Sequence, residues 1–437
     1  MSKSANNFPN NTYTYHAGMN NFASMRFIDL FAGAGGLSEG FIKAGFTPVA
    51  HVEMDRAACY TLRTRMAYHQ LKAEGNEDIY HKYLKGDIGR EALFARVSQH
   101  IHRSVINTKI DDETIPQIFR TVDELADGQT IDAIVGGPPC QAYSLVGRAR
   151  DKNGMRGDER NYLYKYYGRF LKRYSPKVFV FENVLGLLTA EKGLYLRNMK
   201  AYFKRIGYEL DHTILNARDF GVLQNRKRIL IIGWRKDLTD ISMPVFTPTE
   251  WKYQVSDVLR DMPALRSGQG KMTAVNYGGP PTEYLKRSAI RNGVDVVTQH
   301  TARPHSDQDK TIYRMAVETW DRSKQRLRYT DLPEKLRTHK NNSTFLDRFK
   351  VVAANEPYSH TVVAHISKDG HHYIHPDIRQ NRSLSVREAA RLQSFPDDFY
   401  FEGIKETNPR TAAFKQIGNA VPPMMAEQIA LGLKAML

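Results

Sequence analysis

The chain has 437 residues and a formal charge of +16, with 63 Lys and Arg against 47 Asp and Glu. That length exceeds one ordinary domain, a hydrophobic content of 41% supports a large core, and the basic excess points to a polyanionic partner, nucleic acid first. The two cysteines, Cys59 and Cys140, exclude a disulfide framework and zinc-finger spacing and fit a reducing cytosol, so a cytoplasmic location is expected.

Residues 1–25 are rich in Asn, Ser and Tyr and lack the apolar stretch of a secretory signal; they read as a poorly ordered tail. No stretch approaches a membrane span, and no membrane partner is expected. Met25–Phe31 predicts a strand running into Ala32-Gly33-Ala34-Gly35-Gly36-Leu37, a glycine turn that opens a helix. Glycines there let the backbone approach a ligand, and the helix N-terminus favours anionic groups. A second strand, Pro48–Asp55, ends in acidic residues placed for ribose hydroxyls. Glu53 and Asp55 both qualify, and Glu53 is preferred. Cys59, on the helix that follows, reads as a packed residue. Gly86-Asp87-Ile88 is taken as a third turn at a strand end, where Asp87 on its own reads as a helix cap. Residues 89–130 are expected to be a mostly helical, charged crossover.

The apolar run Ile131–Val135 predicts a buried strand that breaks at Gly136-Gly137-Pro138-Pro139. A strand cannot continue through it, so Cys140 is presented from a stiff turn where open α/β sheets do their chemistry. Cys140 reads either as a small core hydrophobe or as a nucleophile. Residues 145–160 follow, with Arg148, Arg150, Lys152, Arg156 and Arg160 among glycines. They read as a basic loop suited to closing over a phosphate backbone, or as a solvated surface loop. An aromatic helix over 161–174 precedes the strand 176–181, which ends at Glu182-Asn183-Val184. Glu182 is either a helix cap or a carboxylate sharing the pocket of Cys140. Two more strands follow, 208–215 and 229–233. Arg226 and Arg228 alternate at the entry of the second and are expected on one side of it; they are surface arginines or a grip on a base or phosphate.

About six strands alternating with helices make a doubly wound α/β domain. After residue 240 the pattern dissolves into short, weakly periodic basic segments, read as a second, irregular domain. His360, His365, His371, His372 and His375 have no metal-ligand spacing, and no metal is expected. Ser385–Pro396 predicts a capped helix, and a C-terminal helix follows Gly418-Asn419-Ala420-Val421-Pro422-Pro423.

Six blocks in one order resemble the DNA (cytosine-5) methyltransferase family: Asp29–Gly36, Gly137–Gln141, Glu182–Val184, Gln224–Arg228, Arg387–Pro396 and Gly418–Pro423. The match runs over about residues 26–437 and resembles a bacterial or phage modification enzyme. The resemblance implies S-adenosylmethionine as methyl donor, S-adenosylhomocysteine as product, no metal, and a Rossmann-like catalytic domain formed by residues 26–240 and 410–437. A target-recognition domain with a hinge helix is inserted at 241–409. The donor is implied against Phe31, the turn residues Ala32, Gly33, Gly35, Gly36 and Leu37, Glu53 on ribose with Met54 beside it, and Asp87 with Ile88 on adenine. Pro138, Asn419 and Ala420 complete the implied pocket, with Asn419 near the amino-acid end. Gln141, Ser144, Arg148, Arg150, Arg156 and Arg160 are implied DNA contacts. The implied partner is double-stranded DNA, with a restriction endonuclease of the same specificity as a functional counterpart.

The chemistry agrees. Cytosine C5 is too weak a nucleophile to take a methyl group unaided; thiolate addition at C6 makes it enamine-like. Addition needs N3 protonated or strongly hydrogen-bonded, which is work for Glu182. Arg228 is assigned to the exocyclic oxygen and Arg226 to support. The residues name no base for the C5 proton, and water is one candidate. A duplex hides C6, so the base must be flipped out. Two other readings stand beside this one: an RNA cytosine-5 methyltransferase, against which the long insert weighs, and a non-catalytic DNA-binding regulator, for which nothing in Cys140, Glu182 or Arg228 argues.

Overall fold

The computed structural model describes residues 24–139, 162–339 and 345–437. At its centre a seven-stranded sheet has the order β3-β2-β1-β4-β5-β7-β6. β1 (Arg26–Leu30), β2 (Thr47–Glu53), β3 (Val105–Asn107), β4 (Ala133–Gly136) and β5 (Val178–Asn183) run parallel. β4 is buried along its whole length, as expected of a strand covered on both faces. β7 (Lys227–Arg235) lies antiparallel between β5 and β6 (Tyr208–Asn216), so the sheet is parallel-dominated rather than parallel throughout. The strand order reverses between β1 and β4. Carboxyl ends of parallel strands diverge at such a point and leave a crevice.

Helices α1 (Gly36–Lys43), α2 (Arg56–Ala73), α3 (Glu77–Lys85), α4 (Arg90–Phe94), α5 (Gln99–Ser104), α6 (Ile115–Ala126), α7 (Leu163–Tyr174) and α8 (Leu194–Arg205) flank the sheet or join its strands. The stretch expected to be a helical crossover also holds β3, whose three residues are too few to show a period. Gly86-Asp87-Ile88 is therefore not at a strand end. Gly86, at φ 84, closes α3, and α4 is capped by Gly89. Asp87 is an exposed link between two helices, neither a cap nor part of the crevice.

Residues 241–409 carry two ladders of two-residue strands, pairing Gly270–Lys271 with His300–Thr301 and Val275–Asn276 with Val296–Val297. They also carry α9 (Asp307–Ser323), a longer regular element than their weak periodicity predicts. A Ser306–Asp309 capping box starts it, and Ile312, Tyr313, Ala316 and Val317 bury one face. α10 (Val386–Leu392) is buried at all seven positions. Arg391 there pairs with Asp261 at 2.5 Å and Asp397 at 2.6 Å. The next acid, Asp398, reaches the other way to Arg65 of α2 at 3.0 Å, and Arg65 also holds Glu39 of α1. Removing one partner of such a pair would strand a buried charge.

α11 (Arg410–Asn419) and α12 (Pro423–Met436) return to the sheet. α12 and the segment just before it pack on α1 through two glycines: a Cβ at Gly36 would sit 2.2 Å from the Val421 carbonyl oxygen, and one at Gly40 2.4 Å from the Glu427 nitrogen of α12. Among the described residues no helix is long and apolar enough to cross a membrane.

Candidate active site

The crevice at the switch point is a pocket of about 540 Å³, a size that takes a nucleoside-like ligand. β1 delivers Phe31 to its wall at φ 59, a left-handed conformation that a bulky side chain adopts only when its surroundings impose it. Gly33, at φ 56, makes the turn and leaves open space above it, while a Cβ on Gly35 would meet Leu62 at 2.7 Å. Thus Phe31, Ala32, Gly33, Gly36 and Leu37 line the pocket and Gly35 supports it from behind.

β2 brings Glu53 and Met54 to the opposite wall. Glu53 accepts hydrogen bonds from the Gly33 and Asp55 N–H groups at 2.9 and 2.7 Å. Burial nevertheless holds its carboxyl above the usual range. Asp55 instead caps α2 and pairs with Lys415 of α11 at 2.7 Å. Burial works against its charge, but the Lys415 ammonium outweighs it and keeps the carboxyl low. Thr108, Lys109 and Ile110, just past β3, occupy the place on the pocket wall that Asp87 and Ile88 do not reach. Ile88 packs against an aromatic cluster around Tyr83 instead. The sequence signal for this wall is the short β-branched run Val105-Ile106.

Asp29 also faces the pocket, a position the expected donor contacts omitted. It is 1% exposed; Ser38 donates to Oδ2 at 2.6 Å while Oδ1 has no partner. Burial raises its carboxyl to about 7. From α11 and the segment after it come Gln416, Asn419, Ala420 and Val421.

At the β4–β5 end, Glu182 and Arg228 form an ion pair, Nε to Oε1, at 2.8 Å, with side chains 12% and 13% exposed. A Cβ at position 137 would lie 2.6 Å from Glu182 Oε2, so only glycine leaves that oxygen its place. The buried Asn183 side chain donates to the Pro138 carbonyl at 3.2 Å and so fixes the Pro138-Pro139 turn. Pro138 and Pro139 line the pocket beside Glu182. Cys140 and the loop residues Gln141, Ser144, Arg148, Arg150, Arg156 and Arg160, expected at the reacting base and the DNA, lie outside the described residues. Cys59 Sγ donates to the Glu53 carbonyl at 3.3 Å, and burial pushes its thiol up to about 12, where it is inert as a nucleophile.

Arg226 is not on the pocket side with Arg228. It precedes the first residue of β7, where strand alternation does not yet apply. Its guanidinium is fully buried and donates to the carbonyls of Val362, Gly418 and Ala420. Among the described residues no group of three or more His, Cys, Asp and Glu side chains is arranged to hold a metal ion.

The family model of C-5 cytosine-specific DNA methylases matches residues 25–93 and 85–435. The two segments overlap on the turn that contains Asp87. Type II methyltransferase M.Bpa9945I of Bacillus paralicheniformis is 42% identical over 448 residues, covering 93% of this chain and 98% of the relative. Type II methyltransferase M1.HphI of Haemophilus parahaemolyticus is 32% identical, covering 93% and 86%. In fold, the chain is similar to a DNA modification methyltransferase encoded within a prophage in E. coli, with a TM-score of 0.61 at 24% identity over 94% of this chain and 99% of the other. With an α/β sheet, a switch-point pocket and a family match running through both, this chain belongs to the C-5 cytosine-specific DNA methylases and is a DNA cytosine-5 methyltransferase.

Proposed function

We propose that the chain methylates C5 of a flipped-out cytosine within a specific duplex DNA sequence, through a covalent bond between Cys140 and C6, as the modification enzyme of a restriction-modification system. The observation that carries this reading is the Glu182–Arg228 pair, set in the pocket wall beside the Pro-Pro turn that leads to Cys140. S-adenosylmethionine, when bound, supplies a methyl group already activated on sulfonium. The pocket fits such a donor: apolar walls at Phe31, Leu37 and Val184 suit an adenine, and the half-satisfied Asp29 suits a cationic group. Glu53 is then the ribose contact, and Asn419 holds the amino-acid end.

Cys140 adds as thiolate to C6 and pushes electron density towards C5. Glu182 gives N3 a proton or a strong hydrogen bond, which stabilises the charge that addition creates. Arg228 holds Glu182 in place from Nε. After methyl transfer a base takes the C5 proton, the electrons left behind restore the C5–C6 double bond, the C6–S bond breaks to release the Cys140 thiolate, and N3 gives back to Glu182 whatever proton it received. Methylating random duplex DNA with the purified chain and mapping 5-methylcytosine at base resolution tests the whole reading. A single recurrent sequence context is expected, and methylated tRNA in place of DNA would overturn it.

Two further outcomes follow. Glu53→Ala is expected to weaken donor binding by on the order of 1–3 kcal/mol, the worth of lost hydrogen bonds to a partly buried carboxylate. Titration calorimetry with the donor reads this, and an unchanged affinity moves the ribose role to Asp55. Sequence choice is assigned to residues 241–380. Grafting that stretch into a related catalytic domain is expected to transfer the target site, and a chimera that keeps its host's site contradicts the assignment.

A further inference from the structure

We propose that Arg226 is a positioning residue that joins the inserted segment 241–409 to the rim of the donor pocket, so that DNA binding and donor binding strengthen one another. The proposal rests on the reading of donor and DNA given above. The three carbonyls held by Arg226 come from two distant parts of the chain. Val362 accepts at 2.8 Å and belongs to the insert; Ala420 and Gly418 accept at 2.7 and 3.3 Å and flank Asn419 on the pocket rim.

Gln224, two residues earlier, repeats the arrangement. Its Oε1 accepts from the Val362 N–H at 2.8 Å, and its Nε2 donates to the Leu392 carbonyl at 2.9 Å and to Gln393 Oε1 at 3.1 Å. Gln393 in turn donates to the Ile417 carbonyl at 2.6 Å. Both backbone polar groups of Val362 are thus fixed by the same two side chains that fix the rim. Gly418 adds direct contact: a Cβ there would sit 2.2 Å from the Ala364 nitrogen, so backbone rests on backbone with no side chain to absorb a shift.

In this buried layer a carbonyl that loses its donor bears the full desolvation penalty. Val362 therefore cannot shift away from Ala420 at low cost. A duplex seated on the insert fixes Val362–Ala364 and with them the rim around Asn419, and the donor then meets a rim already ordered. The coupling is reciprocal by thermodynamic linkage. The planar fork serves the two sides from two separate nitrogens, Nη1 to Val362 and Nη2 to Gly418 and Ala420; a lysine ammonium carries its three donors on a single nitrogen and cannot keep both sides at these distances.

The test is titration of S-adenosylhomocysteine into the full chain, alone and with a duplex carrying the mapped target site. The wild-type product affinity is expected to rise about fivefold or more with DNA. In Arg226→Lys that ratio is expected to fall towards one, while DNA binding without product stays within about twofold of wild type. A general structural lesion lowers both binary affinities and leaves the ratio alone. If Arg226→Lys lacks a cooperative thermal transition, Gln224→Met takes its place with the same expectation. A folded variant that keeps the wild-type ratio, or a wild type that binds both ligands without coupling, overturns the proposal. A wild type that binds neither product nor duplex sinks the underlying functional reading instead, and this proposal with it.

Discussion

A duplex with 5-fluorocytosine at the target position, incubated with the enzyme and S-adenosylmethionine, is expected to stay joined to the protein in a denaturing gel. On the proposed mechanism, addition of the Cys140 thiolate to C6 and methylation of C5 should both proceed with fluorine present. Release requires C5 to lose its other substituent without the bonding electrons. Hydrogen leaves as a proton; fluorine cannot leave as a cation, so elimination stops with the C6–S bond intact. The adduct should need the donor, because the dead end lies after methyl transfer. Cys140→Ser should abolish it, since a hydroxyl lacks the accessible ionisation of a thiol with a pKa of about 8.5. Cys59→Ser should leave it unchanged, because the Cys59 thiol is buried against the Glu53 carbonyl and already pushed up to about 12. Mass mapping of the crosslink to a residue other than Cys140 would overturn the covalent step.

The second large effect belongs to Glu182. Glu182→Gln keeps the shape beside Gly137 but cannot pass a proton to N3, and it gives up the charge that pairs with Arg228 at 2.8 Å. Methyl transfer in a single turnover, with donor and duplex saturating, is expected to slow by roughly 10²–10⁴, the span of a lost general acid. Donor affinity should hold, since Glu53, Phe31 and Asn419 are untouched. Arg228→Lys should cost less, on the order of 1.5–3 kcal/mol in the barrier, because a lysine still supplies charge but not a fixed Nε–H. A Glu182→Gln enzyme running at the wild-type rate would assign N3 activation to another group.

Much of this site is legible in the chain because its parts sit where one local signal ends and another begins. Phe31, Gly33, Glu53 and Glu182 each follow an apolar run that stops at a glycine or an acid, and strand ends in such a sheet are pocket walls. Legibility fails where the deciding neighbours are remote. β3 is three residues long, and the glycine turn 86–88 imitated the strand end that Thr108 supplies. Arg226 and Arg228 look equivalent in sequence, yet the partners of Arg226 lie 136, 192 and 194 positions away. The direction of β7 was equally hidden, since an apolar run reads the same both ways. α9 is faint in the sequence because four buried positions among many charges make a narrow stripe, with the capping box as its one clear signal.

The Gly36–Gly40 seam has a consequence for biosynthesis. α1 emerges from the ribosome early, but its cover, α12, follows every other described element in the chain. Until then Phe27, Leu37 and Phe41 lack the Met425, Ile429 and Leu433 side chains that close their core. At about 5–20 residues per second, the nascent chain waits tens of seconds with that apolar face uncovered. The rim residues Gln416 to Val421 arrive in the same late stretch. A ribosome-bound chain thus has neither a sealed core nor a complete pocket, and a chain cut before α11 is expected to expose that apolar face rather than to fold as a smaller version of the domain.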